Sequence, residues 1–150
     1  MKEAFHGIAV FFIGGFGYAL IELLWRGRTH WSMMLAGGIC LLMMYIIFGS
    51  IDDLSLPRRA LIGAFVITLV EFSAGLILNR RLKMGIWDYS DQKLNIMGQI
   101  CPMYTVLWGI LSIPASWICI RLKRLFCKNG AAVAAPPSVK CVEGSYHGGF

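Results

Sequence analysis

A chain of 150 residues that is 57% apolar and 15% charged, with a mean hydropathy of +0.66, is too apolar for a water-soluble domain of that length. Its formal net charge of +6 does not mark a nucleic-acid partner, because the basic residues gather at the ends of apolar blocks, where they anchor helices and meet lipid phosphates. The absence of a GxxxxGK[ST] run excludes an ATPase of that class within the chain, and five cysteines without CxxC or Cys/His spacing provide no metal site, so neither metal nor cofactor is expected.

The apolar residues fall into four blocks, Phe5–Trp25, Trp31–Gly49, Ala60–Leu78 and Asn95–Ile120. Each is close to the roughly 20 helical residues that cross a hydrocarbon core of about 30 Å. The first block is a mature helix rather than a signal peptide, since it holds Glu22, ends in Trp25 and Arg26, and has no small-residue cleavage site. Gly14, Gly15 and Gly17 at its centre allow a neighbouring helix to come close. Gly14, Tyr18 and Glu22 share a face, and Arg26 extends it by a turn, which places a Glu22–Arg26 pair at the headgroup boundary.

The second block, from Ser32 to Gly49, carries Gly37 and Gly38 and no charge. Its methionines, Met33, Met34, Met43 and Met44, read as adaptable packing rather than copper ligands. The linker SIDDLSLPRR follows, with Pro57 placed to open the third helix. In that helix Thr68, Glu71, Gly75 and Asn79 recur at steps of three and four, so one polar stripe descends toward the next loop. Glu71 stands seven residues before Leu78, about 10 Å of helix at 1.5 Å per residue, and so lies within the bilayer. A carboxyl at that depth is costly and marks either a site or an internal partner.

The segment NRRLKMGIWDYSDQKL is basic and aromatic. Trp87 and Tyr89 inside WDYS suit a structured capping loop, with Asp88 or Ser90 available to cap the fourth helix. In the fourth block Asn95, Gly98, Gln99, Cys101 and Tyr104 make the first turns polar, and Pro102 and Pro114 are expected to bend the helix. The basic run RLKRLFCK ends the pattern. Residues 1–128 are therefore expected to form a transmembrane domain and residues 129–150 a disordered tail.

The expected fold is an all-α membrane protein, an antiparallel bundle of four transmembrane helices with a structured loop before the fourth. Glu22, Glu71, the WDYS loop and the start of the fourth block all fall in one leaflet. A substrate cavity lined by Glu22, Glu71, Asn79, Asp88, Asn95 and Gln99 is expected there, with Glu71 near Gln99 or Asn95 and the Tyr18 face of the first helix. Eight of the fourteen Lys and Arg residues lie on the side of the termini, so the positive-inside rule places both termini in the cytoplasm of a multi-pass cell-membrane protein.

EFSAGLILN, WDYSDQKLNIMGQICPMYTVLW and GYALIELLWRGRTHWSM resemble the ABC-transporter permease family of the CmpB type, from Gly14 to about Leu111. The resemblance implies a small bacterial membrane protein that works in transport, with an ATPase subunit or a homo-oligomer as partners beside the lipid bilayer. It carries no residue roles with it. Beside transport stand two other readings: an accessory or lipid-binding subunit whose polar residues lock helices together, and an intramembrane enzyme using Glu22 and Glu71 as acid and base.

Overall fold

A computed structural model describes residues 2–51 and 54–131. The helices are α1 (Lys2–Arg26), α2 (Trp31–Ser50), α3 (Leu56–Gly75) and α4 (Pro102–Ala131), and α3 runs on into a π-helical turn, Leu76–Arg81. All four are long and apolar enough to cross a membrane, and the described residues contain no strand beyond an isolated Ile96–Ile100 bridge. The protein is a multi-pass membrane protein. The tail expected from 129 onward lies outside the described residues from 132, and helix α4 itself runs through Ala131.

Two close helix pairs make the framework. Along α1 and α2 the contacts pair in reverse order: Phe11 lies against Gly38, Gly14 against Gly37 and Leu41, and Gly15 against Met34. The absence of a side chain sets that spacing, since a Cβ on Gly14 would stand 2.6 Å from the Gly37 carbonyl oxygen. In lipid, where hydrophobicity cannot drive helix association, this backbone approach supplies dispersion contact that larger residues would forbid. Helices α3 and α4 also pair in reverse order, through Gly63 with Ser112 and Thr68 with Thr105, whose hydroxyls are 3.2 Å apart.

Helix α2 joins the two pairs. Cys40, Leu41, Met44 and Phe48 pack with Val10 of α1, Val66 and Ile67 of α3 and Cys119 of α4 in one buried cluster. Met33 and Met44, at 2% and 1% exposure, fill space inside the protein, as their flexible side chains allow. Helix α1 meets α4 at a His6–Phe126 stack with centroids 4.1 Å apart and at Tyr18–Trp108, 5.9 Å apart. Among the described residues its backbone does not come close to that of α3. Its outer face, including Phe5, Phe12, Phe16, Leu20 and Leu24, is exposed as a lipid-facing surface must be.

The start of α4 differs from the sequence expectation. Residues 95–101 belong to the preceding loop, and Pro102 is the first helical residue rather than an interior bend. The Cys101 carbonyl accepts the first helical hydrogen bond, from the Thr105 N–H at 3.0 Å, and the Thr105 hydroxyl donates to the same oxygen at 3.1 Å. A proline suits that position, where its missing N–H would have had no intrahelical partner. Pro114 does lie inside α4.

Candidate functional site

Polar side chains from the end of α3 and from α4 assemble around the loop 82–101. The π-helical turn widens the end of α3 and delivers Asn79 to the loop's underside. The Asn79 amide donates to the Trp87 carbonyl and to Gln99 Oε1, both at 2.9 Å, while its Oδ1 accepts the Ile86 N–H at 2.8 Å. Gln99, 5% exposed, in turn donates to the Met97 carbonyl at 3.0 Å, and its own carbonyl accepts the buried Trp87 indole N–H at 3.2 Å. Gly75 leaves room for the Gln99 side chain, which occupies the place a Cβ would take. Thr68, Gly75 and Asn79 of the α3 stripe therefore face α4 and the loop.

The loop holds its own shape by local bonds. The Tyr89 N–H donates to the Gly98 carbonyl at 2.8 Å, and Asn95 donates to the Gln92 and Ser90 carbonyls at 2.8 and 3.0 Å while accepting the Gly98 N–H at 3.0 Å. Asp88 does not cap α4; its Oδ1 accepts the Ser90 N–H at 2.9 Å and the Ser90 hydroxyl at 2.6 Å, in a turn that closes on itself. Those two bonds, the hydroxyl's first, hold the exposed Asp88 carboxyl below its usual range. Gly98 is required here on two counts: its φ of +70° is left-handed, and a Cβ would press within 2.6 Å of the Ser90 hydroxyl and 2.9 Å of Asp88 Oδ1.

Glu71 sits beneath this loop at 4% exposure. One carboxylate oxygen accepts the Trp108 indole N–H at 2.7 Å, and the other lies 3.4 Å from the Tyr89 hydroxyl, a long and therefore weak bond. Tyr89 stacks on Tyr104 with centroids 4.4 Å apart and planes 17° apart, and Tyr104 and Tyr18 flank Trp108 at 6.3 and 5.9 Å. Burial, and secondarily the neighbouring Glu71 carboxyl, push the Tyr89 phenol far above its ordinary range, so it remains an O–H donor at any physiological pH. The expected neighbours of Glu71 were Gln99 or Asn95 with the Tyr18 face. Its hydrogen bonds come instead from Trp108 and Tyr89, and Tyr18 packs on one of those partner rings, that of Trp108.

Glu22 is in a different place. Its carboxylate accepts from Arg26 at 3.0 Å and from the Thr29 hydroxyl at 3.0 Å, and Arg26 also donates to the Ile86 carbonyl at 3.1 Å. The ion pair read from the i, i+4 spacing is present, and it ties the α1–α2 turn to the loop. Glu22 and Glu71 have separate hydrogen-bond partners, Arg26 and Thr29 for the first and Trp108 and Tyr89 for the second. Of the six expected residues, Asn79 and Gln99 bond to each other beneath the loop, Glu71 bonds to Tyr89 of the loop and Trp108 of α4, Asp88 and Asn95 hydrogen-bond within the loop, and Glu22 is joined to it through Arg26. Trp87 and Tyr89 were read as residues of a structured loop, but Trp108 and Tyr89 were missed as partners of Glu71, although a half-buried indole N–H in an apolar helix needs an acceptor and Glu71 is the one acidic residue of α3.

Among the described residues no group of three or more His, Cys, Asp or Glu could hold a metal ion, and no buried side-chain nitrogen or oxygen lacks a hydrogen-bond partner. A family model described as "Putative ABC-transporter type IV" matches residues 9–133, which include most of α1, all of α2, α3 and α4, and the loop. No curated protein and no solved structure matches the chain.

Proposed function

The chain belongs to the type IV ABC-transporter family of the CmpB type, and from that membership we propose that it is a permease-like membrane component handling a small polar or cationic solute, as a homo-oligomer or with an ATPase subunit. The supporting observation is Glu71: a carboxyl at 4% exposure within a span, held on one side by a firm indole donor at 2.7 Å and on the other by a weak phenol contact at 3.4 Å. A solute carrying a cationic or N–H donor group competes for the weakly held oxygen, while the stronger Trp108 bond keeps the carboxyl in place. Asn79 and Gln99 stand behind it, and Glu22, Asp88 and Asn95 frame the approach.

These groups lie toward one end of the spans, so a second copy or a partner subunit would complete a path across the bilayer. The excess of Lys and Arg on the terminal side supports cytoplasmic termini in a cell membrane, where an ATPase would reach them.

The complete pairing of buried polar side chains among the described residues favours a second reading, in which the same network locks the helices of an accessory subunit. Reconstitution separates the two. The purified protein, with any co-encoded ATPase, is placed in liposomes and assayed for uptake of small cations and polar solutes. Glu71→Gln, which keeps an acceptor for Trp108 but cannot ionise, should abolish uptake and leave the helical fold intact. No uptake by wild type, or uptake equal in wild type and Glu71→Gln, would replace transport at Glu71 with the accessory role.

A further inference from the structure

Beside the Glu71 cluster the structure holds a cleft of about 210 Å³ whose walls come from the α1–α2 turn and from Met84, Gly85 and Ile86 of the loop. Arg26, Arg28, Thr29 and His30 line it, together with Glu22. Glu22 is already matched by Arg26 at 3.0 Å. That leaves the exposed Arg28 guanidinium with no hydrogen bond or ion pair among the described residues, and the cleft carries net positive charge. His30 adds a donor. Its Nδ1 accepts the Ser32 N–H at 3.3 Å in capping α2, which leaves Nε2 as the ring's donor nitrogen.

The depth of the cleft is set by the chain. Span α1 ends at Arg26 and α2 begins at Trp31, so residues 27–30 lie at headgroup level. Next to it, a second hollow of about 230 Å³ runs between α1 and α2, lined by Phe11, Phe12, Gly15, Trp31, Met34 and Leu35, all apolar. Adjacent residues line the two: His30 belongs to the basic cleft and Trp31 to the apolar groove, their ring centroids 5.3 Å apart.

A cationic recess at the interface continued by an apolar groove at acyl depth matches one chemistry. We propose that this surface is a binding site for an anionic phospholipid, its phosphate between Arg28, Arg26 and His30 and one acyl chain along the groove from Trp31 to Phe12. Glu22, which frames the approach to Glu71 in the transport reading, also lines this cleft, but neither Glu71 nor Tyr89 takes part in it. Arginine presents planar paired donors to phosphate oxygens, and the interfacial indole of Trp31 suits the junction of headgroup and chain.

The test uses the full-length protein purified in mild detergent and observed by native mass spectrometry with added phosphatidylglycerol or phosphatidylcholine. Phosphatidylglycerol should be retained roughly tenfold better, because a single basic side chain near an anionic headgroup contributes about that order of preference once a charged hydrogen bond is included. Arg28→Glu should remove the preference. Arg28 is exposed and pairs with nothing described, so the fold should survive; if that variant unfolds, the wild-type preference must still decline as ionic strength rises. Glycerophosphoglycerol, the same headgroup without chains, and inorganic phosphate should fail to displace the lipid. Equal retention of the two lipids, a preference that survives Arg28→Glu or is indifferent to salt, or displacement by inorganic phosphate would each overturn the proposal, the last by assigning the cleft to a free anion. Crosslinking of two chains through the Phe12–Leu35 groove with no lipid retained would assign it to a second copy instead.

Discussion

Replacing Asn79 by leucine, which has a similar volume, tests whether this one amide fastens the loop to the helices. Three hydrogen bonds disappear: those to the Trp87 carbonyl, to Gln99 Oε1 and from the Ile86 N–H, at 2.9, 2.9 and 2.8 Å. At about 1 kcal/mol net for each, the loss sums to roughly 3 kcal/mol. Asn79 is only half-buried, so water can reach some of the abandoned groups, and about 2 kcal/mol is the expected result. The cost should be local first, because α1 and α2 make no contact with Asn79. Unfolding in mixed micelles followed by circular dichroism gives the free energy, and hydrogen exchange resolved by peptide gives its place. Exchange should quicken across residues 82–101 and stay unchanged along α2. A free-energy change under about 0.5 kcal/mol, or faster exchange spread evenly over all helices, would refute the idea that Asn79 holds the loop.

Two other perturbations follow from the packing. Trp108→Phe keeps a ring between Tyr18 and Tyr104 but deletes the 2.7 Å bond to Glu71, and a double-mutant cycle with Glu71→Leu should give a coupling of about 1–2 kcal/mol; additive effects would mean that the bond contributes nothing. Gly63→Val would put a branched side chain where the Ser112 side chain lies, so α3 and α4 must part, with a loss of about 2–3 kcal/mol in the same unfolding assay; unchanged stability would show that the pair tolerates a wider spacing.

The helices were legible in the sequence because length and hydropathy are enough to specify a span, and Glu71 was legible as buried because its stripe of Thr68, Gly75 and Asn79 could be counted along one face. The beginning of α4 was not. Ile96 and Met97 belong to the apolar block and Leu94 immediately precedes it, yet Leu94, Ile96 and Met97 are 81%, 52% and 58% exposed in a loop, and Leu94 and Met97 both take a φ of +56°. Nothing in a leucine or methionine announces a left-handed backbone, which tertiary contacts impose against local preference. Pro102 did hold the signal, since proline marks first helical turns as readily as bends. The partners of Glu71 were hidden for another reason. Which indole meets which carboxyl depends on the rotation of α4 about its axis and on where the loop returns, and both are set by contacts distant in sequence. The i, i+4 pair of Glu22 and Arg26, in contrast, needs only one helix and was read directly.

The position of α2 as the shared wall between the two helix pairs bears on how the protein is made. The first pair leaves the ribosome while the partners of Met44, Phe48 and Cys40 are still unsynthesised, so α1 and α2 enter the bilayer with that face against lipid tails. Their mutual contact through Gly14 and Gly37 is complete at that moment and needs nothing that comes later. Assembly then reduces to one lateral docking event, in which α3 and α4 displace lipid from α2. The loop 82–101 is translated between α3 and α4, and its carbonyl at Ile86 awaits Arg26 on the earlier pair. That bond can form only once the second hairpin has been made, so it joins the first-made hairpin to the last-made one.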